Sequence, residues 1–167
     1  MKHSFFYFKK LTGWNIAGLA GYILFSLFGY GYCSLFTPDE LPQFLLGDIL
    51  VMQGLLYLLG YKKLRNMTVF FCWCAVGLMQ VLIYFLLKDN PALKVGHLSA
   101  VVAFRNTIPL LLLFQSLRFL YFKIQGRELI MLSKLGQKDM YDNRESDFFD
   151  VISFIIYFSA MIYLSAQ

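Results

Sequence analysis

The chain alternates between long apolar runs and short polar clusters. Five runs of about twenty residues or more carry almost no charge, the pattern of helices long enough to cross a bilayer. The predicted helices cover residues 11–36, 38–61, 67–87, 95–122 and 148–166.

Their ends carry recognisable signals. Before the second helix stands Thr37-Pro38-Asp39-Glu40, where Thr37 suits the N-cap, Pro38 the first helical position and Glu40 the returning carboxylate of a capping box. The third is bounded by Arg65 and by Asn90-Pro91, and its strongly polar member is Gln80. The fourth is overlong. Its 28 residues would rise about 42 Å against a hydrocarbon layer of about 30 Å, so it tilts, projects or breaks. Inside it lies Val-Ala-Phe-Arg-Asn-Thr-Ile-Pro, residues 102–109, and Pro109 deprives the Arg105 carbonyl of its helical donor, which predicts a kink.

Composition agrees with this pattern. The chain is 59% hydrophobic and 15% charged with a mean hydropathy of +0.60, where a soluble domain carries about 25% charged residues. The expected fold is all-α, a single transmembrane domain over residues 1–167 built as a bundle of about five helices in the lipid bilayer.

Charge then sets orientation. With the N-terminus inside, the inner segments hold eleven Lys and Arg residues, while the outer segments hold Lys88 and Lys94. That asymmetry predicts an N-in, C-out polytopic protein, and the net charge of +5 becomes an orientation signal with no implied nucleic-acid partner. The first apolar run exceeds a signal-peptide core and no small-x-small cleavage site follows it, so it is expected to remain as an anchor. Compact loops and lysine-rich inner edges suggest a bacterial inner membrane.

Two features of the helices ask for explanation. Gly13, Ala17 and Gly21 recur every four residues, a small-residue stripe that lets another helix approach, preferably one of the same chain and otherwise a partner or second copy. The second feature is polar. Asp48 lies seven positions beyond Leu41 and Gln80 seven before Leu87, each about 10 Å deep, while Arg105 lies ten beyond Val95, about 15 Å deep. Asn106 accompanies Arg105, and Ser159 falls at a similar level in the fifth helix. An ionised side chain at mid-bilayer costs about 2.5–3.5 kcal/mol, so these residues predict a buried polar cluster centred on an Asp48 to Arg105 ion pair. The pair reads first as a structural one that fixes helix register, then as a functional polar site, with snorkelling of Arg105 as the remaining alternative. Arg118, near the inner end, reads as a snorkelling residue, and Asp150 as a first-turn carboxylate.

Residues 123–147 form the largest polar segment, with Leu129, Ile130, Leu132 and Leu135 grouped among five basic and five acidic residues. A short interfacial amphipathic helix is expected there. Cys72 and Cys74 point about 200° apart on a helix and suit packing better than metal binding.

The chain has no His-Glu-x-x-His, Gly-x-Ser-x-Gly or phosphate-binding glycine loop. No cofactor, metal or catalytic residue is assigned. Three functions remain: an accessory or structural subunit of a membrane complex, which is favoured; a small, oligomeric transporter or channel using Asp48, Gln80 and Arg105; and, remotely, an intramembrane thiol enzyme using Cys33, His97 and Arg105.

Overall fold

The computed structural model describes residues 7–95, 98–130 and 145–166. The described chain is mostly helical, with irregular connections, an isolated bridge between Tyr7 and Asn66, and a two-residue antiparallel pairing of β1 (Lys94–Val95) with β2 (Leu98–Ser99). Its elements are α1 (Gly13–Phe36), α2 (Leu41–Leu58), the short α3 (Tyr61–Leu64), α4 (Met67–Leu87), α5 (Thr107–Gln125) and α6 (Phe148–Ser165). Five spans are long and apolar enough to cross a membrane, the fourth being α5 together with the 3₁₀-helix Ala100–Asn106 that leads into it.

The local sequence explains most of the boundaries. Asn66 caps α4 by accepting the Thr68 amide at 3.2 Å, and Asp147 and Asp150 form a full capping box at the start of α6. Gly126 ends α5 in the left-handed region (φ 66°), where its lack of a Cβ matters, and its amide returns to the Phe122 carbonyl. Thr37 makes no capping bond. Pro38–Glu40 forms a 3₁₀ turn, and α2 starts at Leu41 with Pro42 in its own first turn, so the expected Thr37/Glu40 box is replaced by a second proline start.

The fourth span is broken by a change of helical type. The 3₁₀ stretch runs to Asn106, and Pro109 falls in the first turn of α5, where an amide has no intrahelical partner to lose. The expected kink at Pro109 is therefore a helix start.

This span is also the centre of the bundle. Its most apolar window is 56% buried, whereas that of α1 is 6% buried. Around it, Tyr57 of α2 stacks on Tyr157 of α6 with ring centroids 4.2 Å apart, and Phe114 of α5 meets Tyr57 edge-on. A second core joins Ile49 and Leu45 of α2 to Val101, Ala103 and Phe104 of the 3₁₀-helix.

α1 lies at the margin. Apart from Gly31, its less exposed positions Asn15, Leu19, Tyr22, Ser26, Gly29 and Cys33 alternate four and three apart, a single stripe facing α2 and α4. Gly13, Ala17 and Gly21 lie on the exposed side, and a Cβ at Gly13 or Gly21 would meet nothing within 4 Å. The expectation that this stripe packs inside the chain is overturned: close approach occurs at Gly29, where an added Cβ would overlap the tip of the Phe44 ring. The reason is that the polar stripe, rotated from the small one, has hydrogen-bonding partners to reach.

The return segment after α5 differs too. Leu129 and Ile130 are buried in an irregular run packed into the bundle, so no interfacial helix starts there; Leu132 and Leu135 lie outside the described residues.

Candidate functional site

Helix α2 carries two faces. Leu45, Ile49, Gln53 and Leu56 are buried, the first two against the 3₁₀-helix, whereas Phe44 and Asp48, four apart, meet α1. This rotation decides the fate of Asp48. Its Oδ2 accepts a hydrogen bond from Ser26 Oγ of α1 at 2.8 Å. One turn earlier on α1, Tyr22 Oη accepts from Gln80 Nε2 of α4 at 2.9 Å. A hydrogen-bonded band thus runs from α2 across α1 to α4, and the Tyr22 ring packs against Trp73 at 5.7 Å.

Two cavities meet at this band. The first, about 440 Å³, extends between α1, α2 and α4 from Tyr22 and Asp48 to Gly60 and Lys63 at the end where α1 begins. The second, about 570 Å³, extends from the same Tyr22 and Asp48 to Tyr30, Leu86 and Leu87 near the opposite end. Tyr22 and Asp48 line both, and the two cavities are together termed the groove under α1, with these polar side chains at its waist. Its walls are otherwise mostly apolar, with Met52, Val69 and Leu45 among them.

Asp48 and Arg105 do not form an ion pair. The 3₁₀ winding turns the Arg105 side chain toward α4, where its guanidinium lies 5.8 Å from the Tyr84 ring centroid, while Asp48 faces α1. Gln53 takes the place expected for Asp48 against the broken helix. Its Nε2 donates to the Ala103 carbonyl at 3.0 Å and to Thr107 Oγ1 at 3.1 Å, and its backbone carbonyl accepts from Tyr157 Oη at 3.1 Å. Asn106 is buried beside Thr107 with Nδ2 lacking a hydrogen-bond partner. Ser159 is exposed on α6 and joins neither group. The expected single cluster is therefore divided: Asp48 and Gln80 at the groove, Asn106 in the core and Arg105 on Tyr84.

The residues considered for thiol chemistry are not assembled. Cys33 is buried on α1, Arg105 lies on Tyr84, and His97 lies outside the described residues. Among the described residues no group of His, Cys, Asp and Glu is placed to hold a metal ion.

A second ionic centre lies where α1 begins. Arg118 is fully buried, not snorkelling: Nε and Nη2 donate to the two carboxylate oxygens of Glu128, each at 2.7 Å. Its Nη1 reaches Gln115 Oε1 at 3.2 Å and the Arg65 carbonyl at 3.3 Å. Arg65 donates to the Leu129 carbonyl, and Asp150 Oδ1 accepts the Ile130 amide at 3.2 Å, so residues 128–130 are clamped between the α3–α4 turn, α5 and α6. The groove and this clamp were hidden for different reasons. Tyr22 and Ser26 carry no charge to mark them in an apolar run, although their place in the four-three stripe was readable; Glu128 gave no sign that its loop folds back.

No protein-family model, curated protein or solved structure matches this chain.

Proposed function

We propose that the chain is a small polytopic protein of a bacterial inner membrane, with its basic end inside and its C-terminus outside, and that the groove under α1 is a translocation path. The carrying observation is that two cavities, one reaching toward each end of the bundle, meet at Tyr22 and Asp48. An intramembrane carboxyl group facing a cavity, with a hydroxyl as partner, is the usual mark of a solute path. Loose covering by α1, the least buried span, lets that path open without disturbing the core around Tyr57 and Tyr157. Eleven of the cations lie on segments assigned to the inner side, which supports the orientation.

Cysteine accessibility tests the path. In a background with Cys33, Cys72 and Cys74 replaced by alanine, Met52→Cys and Leu45→Cys place thiols in the two cavities on either side of Asp48. Met52→Cys should react with a membrane-impermeant thiosulfonate from the cytoplasmic side and Leu45→Cys from the opposite side, while Leu24→Cys on the exposed face of α1 should not react. If both cavity thiols stay unreactive from both sides, the groove is dry and the path reading fails.

The accessory-subunit reading keeps one supporting observation: the Gly13, Ala17 and Gly21 stripe faces outward with open space before it. Such a face suits a membrane partner or a second copy.

A further inference from the structure

We infer that the groove takes a lipophilic organic ammonium ion, with Asp48 as its counter-charge. The inference deepens the translocation reading and rests on the same groove.

Among the described residues no cation pairs with Asp48. Its side chain is bonded to Ser26, Arg105 is held over Tyr84, and Lys63 lines the far mouth of the first cavity, beyond the end of α2. A carboxylate so placed costs free energy until a cation or a proton reaches it. Gln80 adds a second acceptor at the same waist. It is buried and lines the second cavity, its Nε2 is used by Tyr22, and its Oε1 has no hydrogen-bond partner. The groove therefore offers oxygens in search of donors, which an ammonium N–H group supplies and an anion does not.

The walls choose among cations. A bare metal ion needs about six oxygen ligands, and among the described residues the hydrogen-bonded waist supplies side-chain oxygens from Asp48, Ser26, Tyr22 and Gln80. An apolar body is what the rest of the groove accommodates: Leu45, Met79 and Ile83 line it, and Tyr30 and Phe104 place aromatic rings in the same cavity. Its volume of about 570 Å³ falls in the range of about 300–1,000 Å³ that small organic ligands occupy.

Equilibrium dialysis of the full chain in phosphatidylcholine nanodiscs, with empty nanodiscs as blanks, tests this using three probes of one shape: 4-phenylbutylamine, 4-phenylbutanol and 4-phenylbutyrate. The wild-type chain should bind the amine at least about tenfold more tightly than the alcohol, and the carboxylate least. Asp48→Asn, whose amide oxygen can still accept from Ser26, should lose the preference for amine over alcohol, and Asp48→Glu should restore it. A wild-type chain that binds amine and alcohol equally overturns the inference without recourse to any variant. So does an Asp48→Asn chain that keeps the amine preference. Binding at equilibrium needs no passage across the bilayer, so failed charge selection and a groove closed to thiol reagents are separate results.

Discussion

Removing the Glu128 carboxylate should loosen the basic end of the bundle by an amount the structure sets. Arg118 is fully buried, and the Glu128 side chain keeps 27% of its exposure. Breaking a fully buried pair costs about 3–5 kcal/mol because one charge is left without its partner. Two features reduce that figure here: water reaches Glu128, and the bonds from Arg118 Nη1 to Gln115 and to the Arg65 carbonyl survive. Glu128→Ala should therefore cost about 2–3 kcal/mol. Glu128→Gln, which keeps one acceptor oxygen, should cost about 1–2 kcal/mol. The assay is unfolding of the detergent-solubilised chain by titration with sodium dodecyl sulfate, followed by tryptophan fluorescence. Limited trypsin proteolysis in the same micelles should show faster cleavage after Arg127 in the alanine variant, because the loss of both Arg118 bonds leaves residues 128–130 held by Arg65 and Asp150. A loss below about 0.5 kcal/mol with unchanged proteolysis would mean that the pair behaves like an exposed one, and the reasoning from burial would be refuted.

Gly29→Ala should destabilise the chain by about 1–3 kcal/mol in the same titration, since its Cβ would overlap the tip of the Phe44 ring, which packs against the second core, and overpacking costs that much; a neutral result would refute the close packing of Phe44 on Gly29. Gly13→Leu and Gly21→Leu should leave that stability within about 0.5 kcal/mol, because both positions open onto free space. If the outward stripe is an association face, the same two substitutions should abolish co-purification of a stoichiometric membrane partner or a homo-oligomer from native membrane, read by mass spectrometry and native mass; unchanged association would discard that face.

The candidate site was legible only in part. Asp48 and Gln80 stood out because a charged or carboxamide group in an apolar run is costly and therefore conspicuous. Ser26 and Tyr22, which bind them, were not conspicuous, since a hydroxyl is cheap in a helix that can satisfy it locally. Arg105 is as conspicuous, yet its partner is Tyr84 and not Asp48. Depth alone suggested the pair, and depth says nothing about which way a side chain turns around its helix. The 3₁₀ winding of Ala100–Asn106 altered both the rise and the rotation of Arg105, and it placed Gln53 rather than Asp48 against that segment.

The amino-acid order by itself determined the class and the rough extent of the elements. Apolar length and the spacing of charge are local properties, and they marked five helical spans whose ends match α1, α2, α4, α5 and α6 within a few residues, apart from the opening of the fourth span. The Asp147/Asp150 capping box and the Asn66 cap are likewise written in adjacent residues. Tertiary structure alone decided which face of each helix meets a neighbour. It turned Gly13, Ala17 and Gly21 outward, brought Ser26 to Asp48, and folded Glu128 back onto Arg118. The physical reason is that a helix apolar on nearly every side carries no amphipathic signal of its orientation. With hydrophobicity unable to choose the face, hydrogen bonds and close packing at a few positions choose it, and those depend on residues distant in the chain.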